Sequence, residues 1–194
     1  MIGSNLDQTK NTITVRCVKL KGRLARIGDY MAENEIIPIY LSLGSNLADR
    51  KSNLEAVQFA LPPEVVVRKS SSLYRTEPWG FFDQPDFLNQ ILLAETQLSA
   101  RDLLNYIKDI EVEIGREPSF RFGPRLVDID IIFYGDHIIQ KPGLEIPHPR
   151  FKDRAFVLVP LAEISPDILV PGTDTTVLDL LGELDISGVH YYQE

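Results

Sequence analysis

The chain has 194 residues, about one ordinary domain plus an appendage, and is 44% apolar and 25% charged. These proportions exclude a disordered or fibrous protein, and no apolar run approaches the roughly 20 residues of a membrane helix. The basic residues number 20 and the acidic 28, a net charge of −8, so no nucleic-acid partner is expected. Cys17 alone makes no internal disulfide, and with only 3 histidines no Cys/His zinc set is available.

The opening MIGSNLDQTKN has neither the basic nor the apolar part of a secretory signal, which points to a cytoplasmic protein without membrane association. Ile13, Val15 and Cys17 alternate with Thr12, Thr14 and Arg16 in the manner of a half-buried strand, and Gly22, Gly28 and Asp29 break the pattern. Residues 1–35 are therefore expected to form an N-terminal appendage, a strand plus a loose linker, ahead of a compact domain at 36–194. That domain opens with a strand at Ile39 to Leu43, ended by Gly44. Asn46 is the predicted N-cap of a first helix, with Leu54, Val57 and Leu61 at helical spacing until Pro62 and Pro63 stop it.

Val65 to Tyr74 reads as a second strand and Phe87 to Gln97 as a third. Between them TEPWGFFDQPD is too irregular for an element and too apolar for an idle turn, so a binding loop is expected. A second helix runs from Ser99, with Asp102 completing a capping box, to Gly115 in the C′ position. The irregular GREPSFRFGP then leads into the strand LVDIDIIFY. A turn at Gly135 and Asp136 opens a small hairpin, His137 to Gln140 and Leu144 to Ile146. A short helix at Phe156 to Glu163, despite Pro160, and a helical turn at Leu178 to Leu181 close the chain. Strand, helix, strand, strand, helix, strand is the order of a split βαβ, or ferredoxin-like, α+β domain with a mostly antiparallel sheet.

Asp128 and Asp130 are two apart in a strand, so both carboxylates project from one face about 7 Å apart, sharing it with Leu126, Ile132 and Tyr134. Val127, Ile129, Ile131 and Phe133 would fill the other face. Two acids in an apolar row repel each other unless a cation lies between them, and oxygen ligands alone favour Mg²⁺ over softer metals. The bland alternative is a solvent-facing edge strand with two ordinary surface acids. Mg²⁺ held by two carboxylates keeps positions for phosphate oxygens, yet no Gly-Lys-Ser or Gly-Lys-Thr phosphate loop occurs. Arginine must supply the positive charge instead: Arg116, Arg121 and Arg125 precede the strand, and His148, Arg150 and Arg154 follow it.

Placing about 100° per residue on the second helix puts Glu111 inside the apolar stripe of Leu103, Ile107 and Ile110. A buried carboxylate needs a partner, and Arg116 or Arg125 is nearest in sequence. Trp79, Phe81, Phe82, Phe87 and Phe156 provide aromatic faces, and Asn89 shares a strand face with Phe87, a set suited to a flat heterocycle read at its edge. Each aromatic taken singly is more often a core residue.

RFGPRLVDIDII resembles the signature of the 6-hydroxymethyl-7,8-dihydropterin pyrophosphokinases. YLSLGSNL, SSLYRTEPWG, QPDFLN, IEVEIGR and PHPRFKDRAFVLVPL are similar to that family's other blocks in the same order, over roughly residues 38 to 170. The resemblance implies a ferredoxin-like α/β/α sandwich that moves the β,γ-diphosphate of ATP to the pterin hydroxymethyl oxygen, releasing AMP, for folate synthesis. It further implies two Mg²⁺ ions on Asp128 and Asp130, and phosphate binding by Arg116, Arg121, Arg125, His148 and Arg154. Glu111, Phe122 and Ile131 fall on the nucleotide side. The pterin is implied between Phe87 and Phe156, with Asn89, Thr76, Pro78, Trp79 and Gly80 around it. Phe87, Pro118, Phe122 and Pro149 depart from the family's usual residues. ATP and the pterin are the expected partners of a monomer. A metal-dependent phosphohydrolase and a non-catalytic binding module of the same fold are the rival readings.

Overall fold

The computed structural model describes residues 35–78, 82–115 and 123–193. The predicted appendage at 1–35 lies, but for its last residue, outside them, as do Trp79, Gly80, Phe81, Arg116, Pro118, Arg121 and Phe122.

Strand β1, Ile37–Ser45, lies inside the sheet, and seven of its nine residues, all but Pro38 and Gly44, are buried. Helix α1, Arg50–Ala60, follows, but its N-cap is Asp49, whose carboxylate accepts from the Ser52 N–H at 3.1 Å. This corrects the expectation for Asn46, which the fold buries and uses to tie loops together. Val65 to Tyr74 is likewise two strands, β2 at Val65–Ser70 and β3 at Tyr74–Thr76. Both pair with β4, Phe87–Thr96, and the Ser71 hydroxyl between them accepts the Ile91 N–H, so the chain bends there while keeping the same partner strand.

Helix α2, Ala100–Glu113, begins as expected: the Ser99 hydroxyl accepts the Asp102 N–H at 3.2 Å and donates to its carboxylate at 2.7 Å. It ends at Gly115, whose φ of +105° suits the left-handed C′ position. Strand β5, Asp128–Tyr134, is followed by the hairpin β6, Ile139–Lys141, and β7, Leu144–Ile146, the first strand of the hairpin starting two residues later than expected because His137 belongs to the turn. Helix α3, Ala155–Ile164, accommodates Pro160, which removes the N–H that the Phe156 carbonyl would have bonded. The final helical turn, α4 at Val177–Leu181, carries a full capping box between Thr176 and Asp179. An unforeseen strand, β8 at Val189–Tyr191, pairs with β3.

The main sheet runs β5-β1-β4-β3-β8 with β2 also on β4, and every described pairing in it is antiparallel. Helices α1 and α2 cover one face through Leu54, Val57, Leu103 and Ile107, and α3 with α4 covers the other through Val157, Leu158, Leu161 and Val177. The predicted ferredoxin-like sandwich is what forms.

Two face assignments on β5, those of Phe133 and Tyr134, are corrected. Leu41 pairs with Ile131 but Tyr40 pairs with Phe133, so Ile132 is an extra residue, a bulge that reverses the alternation beyond it. Ile132 and Phe133 both pack under α3, and Tyr134 turns to the α1–α2 side. Asp128 and Asp130 precede the bulge and keep the face they were assigned.

Candidate active site

Register builds the floor of the site. Asp128 stands opposite Gly44 and Asp130 opposite Ser42 on β1; Gly44 in turn stands opposite Asn89 on β4. Directly opposed residues share a sheet face, so a carboxylate, a bare glycine and an amide lie in one row. Phe87 is two residues from Asn89 and opposite Thr76. A Cβ on Gly44 would sit 3.4 Å from Asn89 Oδ1 and 3.8 Å from the Phe87 ring, so the glycine leaves room above the floor rather than relieving a clash.

A cavity opens over this floor, lined by the charged or ionisable Asp128, Asp130, Arg125, His148, Arg150 and Arg154 and by Thr76, Glu77, Phe87, Asn89 and Phe156. The sequence-predicted residues thus divide into three groups. Arg125, Asp128, Asp130, His148, Arg154, Thr76, Phe87, Asn89 and Phe156 are brought together. Arg116, Arg121, Phe122, Trp79 and Gly80 lie outside the described residues. Pro78, Glu111 and Ile131 are buried and do not line the cavity. Glu77 lines it from within the implied 76–80 segment, and Ser42, Gly44 and Gly123 line it without having been foreseen. Only their position opposite or beside the site strands marks them, and sequence spacing cannot report that.

Each carboxylate has a cationic partner. Arg125 donates to Asp128 Oδ2, and Arg154 Nη1 lies 3.2 Å from Asp130 Oδ2. Arg154 also stacks on the Phe156 ring, 5.5 Å from its centre. It occupies the N-cap of α3, so the positive end of that helix points at the same region. His148 Nε2 is 3.8 Å from Asp130 Oδ2. Burial pushes the imidazole below its usual pKa despite the facing carboxylate. Its Nδ1 accepts the Arg150 N–H at 3.2 Å, which leaves the ring proton on Nε2, aimed toward Asp130.

The amide end is equally set. Asn89 Nδ2 donates to Thr76 Oγ1 at 2.7 Å, with both side chains buried. Asn46, 1% exposed, donates to Gln84 Oε1 and the Pro85 carbonyl and accepts the Arg125 N–H at 2.7 Å, while its own N–H donates to the Arg125 carbonyl. It therefore joins the approach to β4 with the approach to β5, a role its neighbours in sequence do not reveal. Glu111, 1% exposed as expected, accepts from Lys108 Nζ at 2.6 Å and from the Ile129 N–H at 2.6 Å, whereas Arg125, one of its two expected partners, goes to Asp128.

Layer order, strand register and cavity together define a ferredoxin-like α/β/α sandwich with a charged and aromatic site at one end of its sheet. A family model described as 7,8-dihydro-6-hydroxymethylpterin-pyrophosphokinase (HPPK) matches residues 40–166. The 2-amino-4-hydroxy-6-hydroxymethyldihydropteridine pyrophosphokinase of Aquifex aeolicus is 41% identical over 133 residues, 69% of this chain and 83% of that protein. Its namesake in Methylorubrum extorquens is 41% identical over 152 residues, 77% of this chain and 95% of that one. The chain belongs to the 7,8-dihydro-6-hydroxymethylpterin-pyrophosphokinase family. Its fold also matches the wild-type Plasmodium falciparum HPPK-DHPS structure solved with pterin and p-hydroxybenzoate, at a TM-score of 0.63 and 16% identity. That match covers 79% of this chain and 42% of the other, so the chain spans less than half of that longer protein.

Proposed function

We propose that this chain transfers the β,γ-diphosphate of ATP to the hydroxymethyl oxygen of 6-hydroxymethyl-7,8-dihydropterin, releasing AMP, as a step of folate synthesis. The observation that carries this reading is coincidence: every residue that lines the cavity falls within the family match at 40–166. The pterin hydroxyl oxygen forms a bond to the β-phosphorus as the bond from that phosphorus to the bridging α-phosphate oxygen breaks, that oxygen leaving on AMP and the hydroxyl proton passing to water. Such transfer depends on positioning and charge neutralisation more than on a covalent intermediate.

Arg125 and Arg154 neutralise phosphate oxygens, with Arg116 and Arg121 expected to add to them, and the His148 Nε2–H donates a further hydrogen bond. Phe87 and Phe156 hold the pterin faces. Asn89, fixed by Thr76, reads its edge beside Pro78, Trp79 and Gly80. Glu111, Phe122 and Ile131 belong to the nucleotide side, and since the Ile131 side chain is committed to the α1–α2 core, only its backbone is free for that role.

The residues present fit Mg²⁺. Asp128 and Asp130 offer hard oxygen donors to the same cavity, and among the described residues no cluster of three or more His, Cys, Asp and Glu side chains competes as a metal site. Asp128 and Asp130 together would hold two Mg²⁺ ions. Bound metal supplies charge compensation on the triphosphate and favours the deprotonated hydroxyl.

We further propose residues 36–194 as the pyrophosphokinase domain, with 1–35 an appendage, acting as a cytoplasmic monomer on small molecules, without nucleic-acid or membrane partners. The test of the activity mixes full-length protein with Mg²⁺, ATP and the hydroxymethyl dihydropterin and identifies the nucleotide formed. AMP produced only when the pterin is present supports the reading. ADP, or phosphate release without the pterin, overturns it.

A further inference from the structure

The peptide between the two site carboxylates is held from outside the cavity. Strand β5 ends the sheet, and β1 is its sole strand partner among the described residues. An outer strand leaves alternate N–H and C=O groups without a ladder, which invites fraying. At Ile129 that gap is filled by side chains: its N–H donates to Glu111 Oε1 at 2.6 Å, and its carbonyl accepts from Lys108 Nζ at 2.9 Å. Lys108 Nζ and Glu111 Oε1 are themselves 2.6 Å apart, three residues apart on α2. The two side chains thus close a ring around one residue's backbone and stand in for the missing strand.

Ile129 is flanked by Asp128 and Asp130, so its backbone angles set the relative direction of the two carboxylates. Neither Lys108 nor Glu111 lines the cavity. Helix α2 is attached to the sheet by Leu103, Ile107 and Ile110 in the core, which leaves Lys108, 41% exposed, unnecessary for that attachment. Glu111 needs its partners because an unpaired carboxylate is expensive to bury.

We infer that Lys108 is a positioning residue: with Glu111 it clamps the Ile129 peptide and so fixes the spacing of Asp128 and Asp130, without touching substrate. Its bearing on turnover rests on the diphosphoryl-transfer reading; the clamp itself does not. Lys108→Met keeps the aliphatic stem and removes the charge and donor, and Lys108→Arg keeps both.

Amide exchange of the full-length, substrate-free protein reads the clamp directly. In Lys108→Met the Ile129 amide is expected to exchange about tenfold faster or more, as loss of one charge-assisted hydrogen bond implies, while the Ile107 and Ile110 amides are unchanged. The Mg²⁺ concentration giving half-maximal AMP formation rises several-fold, KM for the pterin is unchanged, and Lys108→Arg restores both readings. Unchanged Ile129 exchange overturns the inference. So does acceleration spread evenly along α2, which would mean a purely structural role, or a raised KM for ATP with normal exchange, which would mean direct nucleotide contact. Should wild-type protein form no AMP at all, the functional reading fails while the exchange measurement still decides the clamp.

Discussion

Strand β5 carries two unlike surfaces on one backbone. Ile129 and Ile131, 0% and 6% exposed, are sealed against the α1–α2 layer, whereas Asp128 and Asp130 keep 24% and 30% of their side chains open to the cavity. The apolar face is held by packing that needs no exact chemistry. The two carboxylates, at the open end of the other face, are held by ion pairs with Arg125 and Arg154 rather than by packing, and depend on how the strand presents them. Retained solvent access and the Arg125 and Arg154 partners keep the desolvation cost of two neighbouring carboxylates tolerable. A substitution on one face should therefore change stability, and one on the other should change chemistry.

The largest expected effect falls on the charged face. Asp130→Ala, and likewise Asp128→Ala, should lower turnover by about 10²-fold or more while the urea unfolding midpoint stays near the wild-type value. Near-normal AMP formation in either variant would remove the metal-holding role. Next comes the amide row beside it: Asn89→Ala should raise the pterin KM by about tenfold, since a buried hydroxyl on Thr76 loses its partner along with the substrate contact. An unchanged KM with lowered stability would make Asn89 a core residue only.

On the opposite face, Ile129→Val should cost about 0.5–1.5 kcal/mol of stability in a urea titration, yet leave turnover per folded molecule close to normal. A large loss of turnover there would show that the two faces are not separable. The smallest effect lies far from the site. Hydrogen bonds from the Thr176 side chain and backbone hold Asp179 below its usual pKa of 3.8, so its contribution is present above that value and lost as pH falls through the lower, folded one. The gap in urea midpoint between wild type and Asp179→Asn should thus be present at neutral pH and close in strong acid. A gap independent of pH would mean that the capping box does not act through charge.

Much of this arrangement is legible in the chain itself. Periodicity of two places Asp128 and Asp130 on one face, periodicity near 3.6 buries Glu111, and local capping chemistry bounds α2 at Ser99 and Gly115. Local signals mislead where a distant contact outbids them. Asn46 has the composition of an N-cap, but loops 38 and 79 positions away claim its amide. The bulge at Ile132 leaves no mark in an unbroken apolar run, because Ile, Ile and Phe suit either face equally. Strand β8, only three residues long, is too short for Val189 and Tyr191 to announce it, and forms where β3 offers an edge.

The order of elements, save the break between β2 and β3 and the added β8, the acid pair, the arginine clusters and the aromatic blocks were determined by the sequence alone, because each follows from spacing along the backbone and from side-chain chemistry. Which arginine meets which carboxylate, the row Asp128, Gly44, Asn89, and the grip of Lys108 and Glu111 on Ile129 were decided only by tertiary structure. Strand register and helix docking bring together groups whose separation in sequence carries no information about their separation in space.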